Sequence, residues 1–378
     1  MATIDKSLPN TMTEVEIPGE EEIVEAKEEA VEEISSDGKT EIEMDEEGGA
    51  TINFDPGEVN PEGGEDHDAN LADFLEDNVL DPLASELMEK YTNYKQSRQE
   101  WADSYREGLN LLGFKYVTRT EPFRGASSVT HPVLAEAVTQ FQAQAYKELL
   151  PADGPVRTQI MGDANVAKEE QSKRVKDFMN YQIMDQMKEY EPEFDQMLFY
   201  LPLSGSTFKK VYYDDLLGRA VSKFIPAEDL VVPYSATSLE DAEAVIHVIR
   251  MSPNDLRKQQ INGFYRDIDL GEPPVQEDKL KQKELELEGI QQNGTEDVYT
   301  ILEMHVDVDL EGHEDVNPED GEPTGIKLPY IITIDEANEK VLSIRRNYAP
   351  EDPLKKKKDY FVHFKFLPGL GFYGLGLI

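Results

Sequence analysis

The sequence predicts a mixed α+β protein led by a disordered acidic tail, and three observations carry that prediction. Apolar residues recur at helical spacing in three segments between Asp81 and Tyr190; from Ser206 onward, short β-branched runs with period-two alternation replace them. The first 80 residues hold 26 Asp or Glu against three Lys, a share of −23 in a chain of 378 residues and net charge −41. Blocks such as GEEEIVEAKEEAVEEI have few aromatics and too little apolar surface to offset chain entropy. Within them, Ile23, Ala26, Ala30 and Ile34 keep a helical spacing that suits a short recognition helix, set against a solvated linker.

From Asp81 to Leu112, Leu83, Leu87, Tyr91, Tyr94, Trp101, Tyr105 and Leu109 fit one long helix, with Pro82 in its first turn and a stop at Gly108 or Gly113. A second helix, Pro132 to Leu150, carries Val133, Leu134, Ala137, Val138, Phe141, Ala145 and Leu149 as one stripe and ends at Pro151. A third runs from Val166 to Tyr190, carries Val175, Phe178, Met179, Ile183 and Met187 at the same period, and restarts or kinks past Pro192. Strands follow at Ser206–Tyr213, Ala220–Ile225 and Leu230–Pro233, the first two joined by an acidic turn at Asp214–Gly218. Ser252-Pro253 opens a short helix by its capping chemistry. A charged connector with one exposed helix, KLKQKELELEGI, leads to strands at Val298–Leu310 and Leu328–Tyr348, the latter folded at Asp335–Asn338. Tyr360–Phe366 is the last strand, and 367–378 reads as the start of a helical element in a chain that is a fragment of a longer protein.

The chain has no cysteine, which removes disulfides, thiol nucleophiles and cysteine-held metals. Its acidity disfavours a nucleic-acid reader, since duplex affinity comes from Lys and Arg meeting phosphates. No apolar run approaches the ~18 residues of a membrane helix, and no G-x-x-x-x-G-K-[ST] loop occurs.

Four motifs have the residue types of chemistry. Arg124, Gly125, Ser127, Ser128, Thr130, His131 and Pro132 crowd ahead of the second helix, yet no nucleophile elbow or third orienting group accompanies the Ser/His pair. They read as a structural loop in which Thr130 or His131 caps the helix and Arg124 ties the loop to carboxylate or carbonyl oxygens. Gly369, Gly371 and Gly374 fit G-x-G-x-x-G, but a dinucleotide site needs a following helix, a second strand and a ribose-binding acid. A close-packed glycine-rich turn suits them better, with a dinucleotide-binding enzyme as a remote alternative. Asp307, Asp309, Glu311 and Gly312 begin like a calcium loop, but Pro318 stands where the bidentate Glu belongs, so the segment reads as an acidic hairpin tip. Lys355, Lys356, Lys357 and Lys358 are candidate contacts for phosphate or an acidic partner, weighed against a solvated strand edge. No catalytic set, cofactor or metal is expected.

Five segments in order, EPFRGASSVTHPVLAEAVTQFQAQAYKELLP, GPVRTQI, YLPLSGSTFKKVYYD, FIPAEDLVVPY and HFKFLPGLGFYGLGL, resemble the portal proteins of tailed bacteriophages, the head-tail connectors, in particular the P22-type podovirus group. The likeness spans Asp81 to Ile378. It implies a non-enzymatic virion subunit of a dodecameric ring at the capsid vertex, assembled in the host cytoplasm, through which double-stranded DNA is packaged and ejected. It also implies partners: the packaging terminase, the major capsid or scaffold protein, and tail or head-completion proteins, with no membrane. Acidic walls suit such a channel, because they repel the duplex over about one Debye length, ~8 Å at physiological salt, so that it slides without being gripped. In portal terms, 1–80 is the tail, 81–260 a helical wing-like region, 261–297 a connector, 298–366 a strand-rich clip-like region and 367–378 a truncated helical element. Another virion part, such as a neck or scaffold-like protein, is the main alternative.

Overall fold

The computed structural model describes residues 67–112, 123, 131–163, 165–214, 217–273, 298–316, 323–369 and 371–378, and by backbone alone the strands at 41–44 and 50–53. The chain divides into two units, Met1–His67 and Asp68–Ile378. In the first, β1 (Glu41–Met44) and β2 (Ala50–Asn53) pair antiparallel with Ile42 opposite Ile52. The recognition helix expected at Ile23–Ile34 and the connector helix in KLKQKELELEGI lie outside the described residues.

The second unit is α+β: six α-helices and two antiparallel sheets among the described residues. It begins earlier than Asp81. Leu71 and Ala72 are fully buried, and the Asn70 amide pins them down: its Oδ1 accepts from Ala72 N (3.2 Å) and Ile344 N (2.9 Å), while Nδ2 donates to Leu342 O (3.3 Å). Residues 71–80 therefore belong to the fold and not to the tail 1–80.

Helix α1 (Asp77–Ser97) buries Leu80, Ala84, Leu87 and Tyr91, spaced as one face requires. Because it starts at Asp77, Pro82 sits in its second turn, where the Asn78 carbonyl goes without that intrahelical donor. The single long helix expected over Asp81–Leu112 is instead two: Arg98, at φ −100° and ψ 9°, separates α1 from α2 (Gln99–Leu109), and a 3₁₀ turn continues to Leu112. Gly108 lies inside α2 and does not stop it.

Helix α3 (Val133–Leu149) stands where the sequence puts it, but of its predicted stripe only Val138 is buried and Leu134, Phe141 and Ala145 half-buried, while Val133, Ala137 and Leu149 are exposed; α4 (Val166–Tyr181) ends in a π turn, Gln182–Gln186. The restart, α5 (Tyr190–Ser204), places Pro192 in its first turn, where a missing N–H costs nothing, and stops at Gly205 in the left-handed region (φ 76°). Ser252 Oγ accepts from Asp255 N at the head of α6 (Pro253–Ile261), the capping arrangement its sequence predicts.

One sheet has the order β10-β3-β4, built from β3 (Ser206–Asp214), β4 (Arg219–Pro226) and β10 (Phe361–Lys365). The other runs β5-β6-β7-β8-β9, from β5 (Leu230–Val231), β6 (Ala244–Met251), β7 (Tyr299–Val308), β8 (Leu328–Asp335) and β9 (Lys340–Arg346). The segments 81–260 and 298–366 thus share both sheets. β6 pairs with β7 from Ala244↔Val306 to Met251↔Tyr299, and β10 pairs with β3, so the expected wing-like and clip-like regions are one body. Unsatisfied edge groups on β6 would make the division costly, and pairing with β7 removes them.

Strand β7 sets the layers. Leu302, Met304 and Val306 pack under α1, while Tyr299 and Ile301 join Leu256 of α6 on the opposite face. That opposite face also carries Glu303 and His305, which meet the three-stranded sheet. Helices α3 and α5 cover that second sheet, with Phe194, Met197 and Leu198 of α5 against Phe141 of α3 and Phe224 and Phe364 of the strands.

Candidate functional site

The glycine run does not feed a helix. Residues 367–378, expected as the start of a helical element, return on themselves through a Leu367↔Leu375 bridge and lie along the end of α5. Leu377 N donates to Pro202 O (2.7 Å) and Phe366 N to Gly205 O (2.9 Å). The glycines make this approach possible. A Cβ on Gly374 would stand 2.4 Å from the Gly205 carbonyl oxygen, one on Gly369 2.8 Å from Tyr373 O, and one on Gly371 2.8 Å from the Tyr234 ring. The face that a phosphate would need is filled by the chain's own backbone.

Arg98 locks this segment to the rest of the molecule. The side chain is 6% exposed and donates to four oxygens: Nη1 to Ala227 O (2.8 Å), Leu230 O (3.0 Å) and Tyr373 Oη (3.1 Å), and Nη2 to Glu228 O (2.5 Å). Tyr373 Oη donates in turn to Leu230 O (3.0 Å), and Trp101 stacks on the Tyr373 ring at 4.9 Å while its Nε1 donates to Ser204 O (3.3 Å). This clamp explains the helix break: a guanidinium inside an apolar core must reach several acceptors, and bending the helix at Arg98 lets it do so. Sequence reasoning missed it, although a lone arginine between the apolar positions Tyr94 and Trp101 was a usable signal.

A serine and a histidine do meet, but not the predicted pair. Ser206 Oγ accepts from Gly374 N (2.7 Å) and lies within hydrogen-bond distance, 3.0 Å, of His363 Nε2. His363 is held between the Phe208 and Phe372 rings at 4.5 and 4.7 Å, and burial pushes its pKa down to about 3, leaving a neutral acceptor. Ser206 is fully buried, and no carboxylate is hydrogen-bonded to His363 among the described residues. The pair ties β10 and the glycine segment to β3.

Between the sheets lies an ionic cluster. Lys210 Nζ reaches both Glu303 carboxylate oxygens (2.5 and 2.7 Å), and His305 Nε2 stands 2.8 Å from Oε1. Burial opposes the Glu303 charge, but the Lys210 ammonium and the His305 hydrogen bond outweigh it and hold the carboxyl well below the usual range. His247, opposite Glu303 in the β6–β7 register, is pushed down to about 3 by burial, and burial also lowers His305. On the other face of β3, Lys209 lies 4.1 Å from the Tyr190 ring centroid, and burial pushes it down to about 8.

The remaining predicted residues divide. Arg124, Gly125, Ser127, Ser128 and Thr130 lie outside the described residues. His131 is exposed and does not cap the helix: Pro132, at ψ 57°, is the N-cap and makes no side-chain cap bond, having no acceptor to offer. The four lysines alternate. Lys355 pairs with Asp315 (2.6 Å) and Lys357 is half-buried beside Leu239, whereas Lys356 and Lys358 are exposed. Gly312 turns the acidic tip at φ 83°, and among the described residues no cluster of three or more His, Asp or Glu is arranged to hold a metal ion. Comparison with protein-family models and with curated proteins finds no match.

Proposed function

We propose that the chain is a structural subunit of a ring-shaped phage portal at the capsid vertex, which passes double-stranded DNA and binds the packaging motor and the tail. One observation carries the reading. Of the five ordered segments that resemble portal proteins, four converge on a single packed layer: α3 meets the last segment through Phe141 and Phe366 (ring centroids 5.2 Å), the α5–β3 turn meets it at Gly205 and Gly374, and the β4–β5 segment meets it at Leu230 and Tyr373. Segments that resemble a family in order and also fold together are a unit of structure, which scattered chance matches would not be. The charge of −41 supports the same role, since a channel must hold a duplex without binding its phosphates. No helix among the described residues is long and apolar enough to cross a membrane.

Native mass tests the proposal. Mass photometry of the purified chain should give a closed ring of about twelve copies, a symmetric oligomer of the kind that head-to-tail contacts generate. A monomer or dimer at all concentrations would sink the portal reading.

A further inference from the structure

Helix α4 is unlike every other long helix of the fold: none of its residues is buried. Among the described residues, its side chains are hydrogen-bonded to the preceding segment 153–163. Ser172 Oγ donates to Thr158 Oγ1 (2.8 Å), and the Asn180 side chain accepts from Val156 N (2.9 Å) and donates to Asp153 O (3.2 Å). At 100° per residue, Phe178 lies about 120° from Ser172 and about 160° from Asn180, and Val175 about 60° and 140° from them, with Met179 between Val175 and Ser172 at the edge of the held side; Val175, Phe178 and Met179 are 43%, 58% and 41% exposed. A helix of this length is marginal in water unless an apolar face is covered, and here nothing among the described residues covers it.

Charge says what does. Residues 166–181 hold Lys168, Lys173, Arg174 and Lys176 against Glu169, Glu170 and Asp177, a balance of +1 in a chain of −41. Arg157 on the neighbouring segment is exposed as well. A basic-rimmed apolar strip on a strongly acidic protein complements the surface of another copy better than it complements its own twin, which is the requirement of a head-to-tail contact.

We infer that α4 is the arm by which one copy of this chain binds the next, burying Val175, Phe178 and Met179 against an apolar, acid-rimmed surface of a second copy. The inference rests on the ring reading and assigns it an interface.

The absence of cysteine gives a clean test. Gln171→Cys, on the same arc as Val175, labelled with a maleimide-benzophenone and irradiated, should yield covalent dimers and higher species on a denaturing gel. Phe178→Asp should raise the concentration needed for assembly at least tenfold by mass photometry, with an unchanged circular dichroism spectrum and melting temperature. Arg174→Glu should weaken assembly less, and the loss should shrink as salt rises. If the parent chain assembles while Phe178→Asp assembles equally and the labelled chain gives no intermolecular product, α4 is not the arm and the ring reading stands. If the parent chain is monomeric at every concentration, both fall.

Discussion

The five-stranded and three-stranded sheets are put together by different means. In the first, β6 to β9 are successive antiparallel neighbours, and α1 covers them with Leu80, Ala84, Leu87 and Tyr91 against Leu302, Met304, Ile332 and Ile344, a dry apolar layer. In the second, β10 returns across more than 140 residues to pair with β3, and the seam is fixed by Arg98, the Ser206–His363 bond, the Lys210–Glu303 pair and glycines without room for a Cβ. Apolar burial is non-directional and tolerates repacking. A distant strand that must arrive in one register needs groups whose loss leaves a buried donor, acceptor or charge unmatched. Here polar and steric devices supply the registration, and apolar area supplies the adhesion.

The comparison can be broken from the steric side first. Gly205→Ala adds a Cβ 2.3 Å from the Gly374 oxygen at a φ of 76°, so the C-terminal segment must detach. Urea denaturation should show a loss of about 4 kcal/mol or more; a loss below ~1 kcal/mol would mean the segment shifts freely and the close approach is incidental. Next, Glu303→Gln leaves the Lys210 ammonium unmatched between the sheets and should cost about 3–5 kcal/mol. Its effect should also change the response to acid. The Glu303 carboxyl is depressed in the fold, so its contribution is present above 4.5, its ordinary value, and is lost as pH falls below that. His363, lowered from 6.5 to about 3, adds a second loss across that window, because the unfolded chain takes up its proton first. Urea midpoints should therefore begin to fall in the parent chain below pH 6.5, and below pH 4.5 they should fall less steeply in Glu303→Gln.

On the apolar side, Leu87→Ala under the five-stranded sheet should cost about 2–4 kcal/mol, with the acid slope unchanged. A changed slope would show that the two sheets do not keep separate roles. The smallest effect is expected at Lys209→Met. Burial lowers this lysine from 10.5 to about 8, a penalty carried in full below pH 8 and relieved as pH rises toward 10.5. The variant should equal or exceed the parent in stability at pH 7, and that difference should shrink between pH 8 and pH 10; a variant weaker at pH 7 would mean that the contact with the Tyr190 ring outweighs desolvation.

How much of this was legible follows the same division. The bounds of α3, the Ser252 cap and the Asp335–Asn338 turn depend on neighbours in sequence, and each stands where periodicity and capping chemistry put it. At Arg98 the lone arginine hinted at a buried clamp but not at a break, because the apolar period runs through it from Tyr91 to Tyr105 and the acceptors that explain the bend lie 129 to 275 residues away. The glycines at 369, 371 and 374 were visible as a motif, and their close packing was expected, but which backbone they approach was not. For the loop from Arg124 to Thr130 mutagenesis is the test: Arg124→Ala should impair folding or assembly.

By itself the sequence determined the fold class, the acidic first segment and most element positions, because these depend on local period, composition and order along the chain. Only the tertiary structure decided that the two expected regions share both sheets, that a buried serine meets a histidine 157 residues away, and that no described residue covers the apolar side of α4. Those are matters of which distant backbone groups and buried charges find partners, and that depends on three-dimensional proximity, which no spacing along one chain encodes.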